Sequence, residues 1–285
     1  MYARAARPLA AAFAAGATVD SQRRARCEMR TVTCTSNTAH THDVRKITFQ
    51  MPQPGRWTAG GPIVNMLVQA TPELKRPYNP LSTDEKGSFT LLVKRYENAK
   101  MGTVLHELPV GGTIEVKGPN QQWTYKQGEI KHYALVAGGT GITPLFQLTQ
   151  HVLANDSAHV TLVTFNKSTS DILLAADLAE LQTKYPGRLT VTHVVETGLD
   201  AGAITTTTAM LGGAVTTQVV RQGKPNTKLL SELLPCAGNH VKVMVCGRPP
   251  MTAAIAGPKN KDFTQGEVDG ILKSLGFTTS MVHKV

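Results

Sequence analysis

Several features that would place a chain in a large functional class are missing here. No Cys-x-x-Cys pair occurs among Cys27, Cys34, Cys236 and Cys246. Neither a zinc site nor a disulfide framework is indicated, and a reducing compartment is the default. The histidines show no metal-ligand spacing: His40 and His42 are two apart in an expected loop, and His151, His159, His193, His240 and His283 are scattered. They read as surface or packing residues, and no metal is expected. The apolar run Leu9 to Ala17 falls well short of the ~20 residues that span a bilayer as a helix, so no transmembrane segment is expected. Aromatics are only 5% of the chain, and there is no cluster of five or more basic residues. Nucleic acid is therefore disfavoured despite a net charge of +10, which still suits an acidic protein partner.

What is present suits a globular protein. The 285 residues, 41% hydrophobic and 18% charged, are enough for two ordinary domains. The first thirty are set apart by Arg4, Arg7, Arg23, Arg24, Arg26 and Arg30, many alanines and no acidic residue before Asp20. That is the composition of a mitochondrial transit peptide, so residues 1–30 are expected to be a targeting segment and the protein mitochondrial.

The organising stretch is Ala134-Leu-Val-Ala-Gly-Gly-Thr-Gly-Ile-Thr-Pro144. A short apolar run ending in glycines suits a buried parallel strand that turns sharply. Pro144 fits a first helical position, and Leu145, Leu148 and Val152 follow at helical spacing. Such a turn offers free backbone N–H groups and the positive end of a helix dipole to phosphate. On this reading glycine at 138, 139 and 141 lets a diphosphate lie against the backbone, with the hydroxyls of Thr140 and Thr143 turned toward it. A purely steric need for glycine in the turn is the competing explanation. The Gly-x-Gly-x-x-Gly fingerprint is absent, because Pro144 falls where a third glycine would stand.

From Thr31 to about Tyr125 the pattern is short β-rich runs (31–35, 44–51, 63–69, 88–96 and 113–117) broken by turn residues, with one helix near 103–108. That pattern indicates a small antiparallel barrel. Within it, Arg76, Tyr78 and Ser82 alternate along a segment stiffened by Pro77 and Pro80, so a cation, a phenol and a hydroxyl would share one face. The trio suits a phosphorylated flat ring, and a solvated edge strand is the plainer alternative. After residue 131 strands (131–138, 159–166, 189–195, 241–246) alternate with helices (to 153, 172–184, 251–255), implying a mainly parallel sheet with ligands at the strands' carboxyl ends. Residues 197–228, rich in Gly and Thr with weak periodicity, read as an expanded loop.

Six ordered segments carry a resemblance. Arg-Pro-Tyr-Asn-Pro-Leu-Ser (76–82), Leu-Val-Lys-Arg-Tyr (92–96), Lys-Met-Gly-Thr (100–103), Gly-Thr-Ile-Glu-Val-Lys-Gly-Pro (112–119), Ala-Gly-Gly-Thr-Gly-Ile-Thr-Pro (137–144) and Val-Cys-Gly-Arg-Pro-Pro-Met (245–251) resemble the NADH-cytochrome b5 reductase family. The resemblance implies an FAD-binding barrel at 31–128 and an NAD-binding α/β domain at 129–285. Arg76, Tyr78, Asn79 and Ser82 would meet FAD, as would Lys94 and Tyr96 on the next strand and Met101, Gly102 and Thr103 in a diphosphate turn. Asn79 stands where the family usually has threonine or serine, and Gly102 where it usually has serine. Gly138, Gly139, Thr140, Gly141 and Thr143, with Cys246, Gly247, Pro249 and Met251, would hold the nicotinamide dinucleotide. Cys246 would lie by the nicotinamide without forming a covalent bond, and Tyr78, Asn79 and Cys246 would border the reacting rings.

Phe165, Asn166 and Glu196 match nucleotide-side positions, and a carboxylate at 196 would favour NADH over NADPH. Arg248, where proline is usual, adds positive charge. The implied function is hydride transfer from NADH to FAD, then single electrons to an acidic carrier such as cytochrome b5. The rival is a weakened reductase-like subunit of a larger mitochondrial complex.

Overall fold

The computed structural model describes residues 28–52, 61–83, 87–199, 204–211 and 214–285, with the backbone alone for 82–83, 204–211 and 214–217. The expected targeting segment lies outside these residues up to position 27. The first domain is built from β1 (Arg30–Ala39), β2 (Val44–Gln50), β3 (Val64–Gln69), β4 (Lys75–Tyr78), β5 (Ser82–Thr83), β6 (Ser88–Lys94) and β7 (Thr113–Gln121). They form one antiparallel sheet in the order β4-β3-β7-β1-β2-β6-β5, rolled into a barrel. Alternation drives the curl: Met66 and Val68 of β3 point inward, to meet Val32, Ile47, Leu91 and Val116 in one core. Phe49 and Phe89, paired directly across β2 and β6, stack with centroids 5.3 Å apart.

The second domain has β8 (His132–Gly138), β9 (His159–Asn166), β10 (Leu189–Val195), β11 (Ile204–Leu211), β12 (Ala214–Gln222), β13 (Val241–Cys246) and β14 (Val282–Lys284) in the order β11-β12-β10-β9-β8-β13-β14. All neighbours are parallel except the β11–β12 edge. Tyr133, Leu135 and Ala137 of β8 face one core and Ala134 and Val136 the other, so the strand is buried on both faces, as its unbroken apolar run requires. The chain leaves β8 toward β9 on one side and returns to β13 on the other. The crevice outside the carboxyl ends of β8 and β13 is therefore the sheet's switch point.

The helices are α1 (Lys100–Glu107), α2 (Ile142–Asn155), α3 (Ala175–Lys184), α4 (Thr227–Leu233), α5 (Pro249–Ala256) and α6 (Gly270–Ser274). Several boundaries differ from the sequence reading. The barrel helix starts at Lys100, so Met101 and Gly102 lie in its first turn rather than in an open loop. Pro144 is the third residue of α2, because a 3-10 turn over Gly139–Gly141 lets the helix begin at Ile142. Expected helix from 172 begins at Ala175, since Leu174 sits at φ 58, a conformation no right-handed helix admits. Most of the expected loop at 197–228 is the β11–β12 hairpin: the threonines 205–208 are β-branched strand formers whose signal was obscured by the flanking glycines.

The domains share a seam. Val44, Ile63, Leu81 and Leu92 of the barrel pack into the same core as Leu145 and Phe146 of α2. Gln147, 9% exposed, donates to Pro80 O (2.7 Å) and accepts from Val64 N–H (3.1 Å). A buried amide satisfied on both ends fixes the relative register of two domains more sharply than apolar contact does.

Candidate active site

A cleft of about 770 Å³ opens between the domains, within the range of small-ligand and cofactor pockets. One wall is Arg76, Tyr78, Asn79, Lys94, Tyr96 and the start of α1; the other is Gly138, Thr140, Gly141, Thr143, Cys246, Gly247 and Arg248. Arg76, Lys94, Lys100 and Arg248 bring four cationic side chains to it, and no carboxylate lines it among the described residues. With the N-terminus of the fourteen-residue α2 on the same wall, the cleft is electrostatically fitted to diphosphates.

The turn glycines also answer to packing. A Cβ on Gly141 would lie 2.3 Å from Cys246 O, and one on Gly138 would lie 2.3 Å from Met251 Sδ. Gly141 lets the two turns press together at the switch point, and the steric explanation holds for it; at Gly138 the obstructing atoms belong to the flexible Met251 side chain. Only Gly139, at φ +52 with no atom within 4 Å of a built Cβ, is free of such a neighbour. Thr143 Oγ1 donates to Thr140 O at 3.1 Å, so that hydroxyl proton is spent within the turn.

The barrel wall also departs from the sequence reading. Arg76 and Tyr78 lie on β4, whereas Ser82 lies on β5; its side chain is outside the described residues. Burial pushes the Tyr78 phenol up to about 12, partly countered by Arg76, so it stays a hydrogen-bond donor at neutral pH. Asn79 Nδ2 donates to Val64 O at 2.7 Å and Gln122 Oε1 at 2.5 Å, which turns its donor toward the barrel backbone. Met101 is 3% exposed and packs in the barrel core while also lining the cleft. Gly102 lines the cleft, and a Cβ there would come to 3.1 Å from Lys94 O, a tight approach. Thr103 does not replace the missing hydroxyl, because its own Oγ1 is donated to Ala99 O.

Lys94 reaches the cleft but its ammonium is held elsewhere. It sits 2.8 Å from Asp43 of the barrel and 3.3 Å from Asp171 of the α/β domain. Burial opposes its charge, yet those carboxylates outweigh burial and hold its pKa above the ordinary range. Lys46–Asp177 at 3.1 Å and the Leu174 N–H donated to His40 at 3.3 Å tie the same two domains together. Asp43 and Asp171 were not legible as site residues in the sequence. The only available sign was Ser168-x-x-Asp171, a capping box that the structure contains. Arg248 lies over the Tyr96 ring at 5.6 Å, bridging the walls at the mouth.

Cys246 lines the cleft with its thiol pushed up to about 11 by burial, against a weaker pull from Lys259. At neutral pH it is therefore a protonated, polarisable thiol, the weakly nucleophilic form. Of the expected residues with described side chains, seven do not line the cleft: Thr103, Gly139 and five more. Phe165 and Asn166 are 8% exposed, the first in the core and the second donating to Thr164 Oγ1. Pro249 opens α5, and Met251 packs under Gly138 and Gly247. Glu196 follows β10 and pairs with Lys224 at 3.5 Å.

A barrel offering a cation and a ring, facing a doubly wound domain whose glycine turns meet at the switch point, defines the flavin- and nicotinamide-dependent oxidoreductases. Residues 31–125 match the oxidoreductase FAD-binding domain and residues 135–257 the oxidoreductase NAD-binding domain. NADH-cytochrome b5 reductase 2 of Phaeosphaeria nodorum is 34% identical over 254 residues, 85% of this chain and 70% of that protein. The protein of that name from Botryotinia fuckeliana is 35% identical over 253 residues, 85% of this chain and 68% of the relative. The cytochrome b5 reductase domain of Ulva prolifera nitrate reductase shares the fold, with a TM-score of 0.70 at 22% identity over 90% of this chain and 97% of that one. The chain belongs to the NADH-cytochrome b5 reductase family, and its cofactors are FAD and NAD.

Proposed function

We propose that this chain oxidises NADH at an FAD held in the interdomain cleft and delivers electrons one at a time to an acidic haem protein of the cytochrome b5 kind. The observation that carries the reading is the cleft itself, with Arg76, Lys100 and Arg248 in its lining, no described carboxylate there, and wall residues drawn from both domains. Bound FAD supplies the conversion of a hydride pair into single electrons. Arg76 would hold FAD phosphate by a forked contact, with Tyr78 and Tyr96 beside the ring and the α1 start, at Met101 and Gly102, beside the diphosphate. The turn at 138–143 and the α2 N-terminus would take the NADH diphosphate, and the neutral Cys246 thiol and Gly247 would seat the nicotinamide. Glu196 would meet the adenosine ribose and disfavour a 2′-phosphate. The arginine-rich first thirty residues support mitochondrial targeting.

The visible spectrum tests the enzyme reading. Purified protein should be yellow, or become so with FAD, and NADH should bleach it faster than NADPH. Colourless protein that cannot be reconstituted would refute it.

A further inference from the structure

Among the described residues that the α/β domain contributes to the cleft lining, Arg248 is the only charged one. No described carboxylate lines the cleft to offset it, whereas Lys94 on the opposite wall is matched by Asp43 and Asp171. The backbone beneath Arg248 is firmly set. Pro249 follows it and favours the extended conformation that Arg248 shows, φ −62 and ψ 144. Thr252 N–H donates to Arg248 O at 3.1 Å, and Thr252 Oγ1 donates to Gly247 O at 3.5 Å. Pro249 and Pro250 also deprive the first turn of α5 of two N–H donors, so the positive charge this turn offers comes from the arginine side chain. That guanidinium is exposed, yet the Tyr96 ring 5.6 Å away keeps it across the mouth of the cleft.

A fixed, unmatched cation on this wall distinguishes the two redox forms of the cofactor. NAD+ carries a cationic nicotinamide ring and NADH a neutral one, and both carry the same diphosphate. Attraction of a guanidinium to that diphosphate is common to the two and cancels between them. Its repulsion of the ring falls on NAD+ alone. Arg76 and Lys100 belong to the barrel wall, whereas Arg248 follows directly on Cys246 and Gly247, the residues that would seat the ring. We propose that Arg248 is a specificity-determining residue, making the cleft favour reduced over oxidised nicotinamide and hastening release of the oxidised product; this rests on the nicotinamide placement in the reading above. Because the guanidinium is exposed and partly screened by water, the discrimination is several-fold rather than many orders of magnitude.

The test uses the full-length protein loaded with oxidised FAD and ligands that leave the flavin oxidised. These are NAD+, tetrahydro-NAD, whose ring is neutral and gives up no hydride, and ADP-ribose, which has no nicotinamide ring. Calorimetric titration reads each Kd. The parent should bind tetrahydro-NAD more tightly than NAD+. Arg248→Gln should weaken tetrahydro-NAD and ADP-ribose by similar factors, and should shrink the ratio of the NAD+ Kd to the tetrahydro-NAD Kd about fivefold. Arg248→Pro, which a φ of −62 accommodates, is a second neutral variant and should give the same ratio. Arg248→Lys keeps the charge and should keep the parent's ratio. A ratio within twofold of the parent's in the neutral variants overturns the inference alone. So does an Arg248→Lys protein whose ratio falls as far as that of Arg248→Gln, since shape and not charge would then be responsible. A parent that cannot be loaded with FAD, or that holds FAD and binds neither dinucleotide, overturns the reading of the cleft and this inference together.

Discussion

Cys246 occupies the position a nucleophile would hold at the end of β13, and burial disarms it by pushing the thiol up to about 11. On the proposed function, it would fill the nicotinamide side of the cleft with a neutral, polarisable atom. Cys246→Ala should therefore cost about tenfold in kcat, measured by steady-state NADH–ferricyanide turnover, not the ~10⁶-fold of a lost nucleophile. His283 is a second residue whose environment overrides its type. Burial first, then the charges of Lys242 and Lys259, lower its pKa from 6.5 to about 4. The folded state holds it neutral while the unfolded chain takes up a proton, so its contribution is complete above 6.5 and is lost as pH falls from there toward 4. Thermal melts between pH 7.5 and 4.5 should show Tm falling, and His283→Gln should make that fall shallower.

At the scale of elements, the two strand-to-helix turns that end β8 and β13 act as one unit. Gly138 and Gly247 meet almost backbone to backbone, and a Cβ at 141 would strike the Cys246 carbonyl, which has no flexible atom to yield. Gly141→Ala should lower stability by about 1–3 kcal/mol in urea denaturation and weaken NADH binding at the same time. An alanine at the open Gly139 position would meet no neighbour, though its φ of +52 still strains it. Glycines in this stretch were legible as a turn. Their division into packing and conformational roles was not, because it depends on the facing turn more than a hundred residues away.

Across the whole molecule, the relation between the domains rests on a small polar clasp set beside an apolar seam. Asp171, 7% exposed, receives Lys94 and caps its own 3-10 turn through Ser168. Burial alone would raise its pKa, but these partners hold the carboxyl below its ordinary value. The stability it lends is thus present at neutral pH and lost only in acid below the usual carboxylate range. Asp171→Asn should shift the denaturation midpoint by an amount equivalent to about 1–3 kcal/mol. It should also raise the KM for NADH more than it lowers ferricyanide turnover at saturation, because the second wall of the cleft is then less firmly set.

Local chemistry was enough for the sequence by itself to determine the two-domain plan, the alternation of strands, the glycine turns and the family's ordered motifs, since each is written in residues close together along the chain. The β11–β12 hairpin, the diversion of Lys94 to Asp43 and Asp171, the inward turn of Asn79 and the stacking of Arg248 on Tyr96 were decided only by the tertiary structure. Each depends on a partner brought near by folding, and a side chain's hydrogen bonds and charge go to whichever partner then lies within about 3 to 4 Å, a distance that spacing along the sequence does not encode.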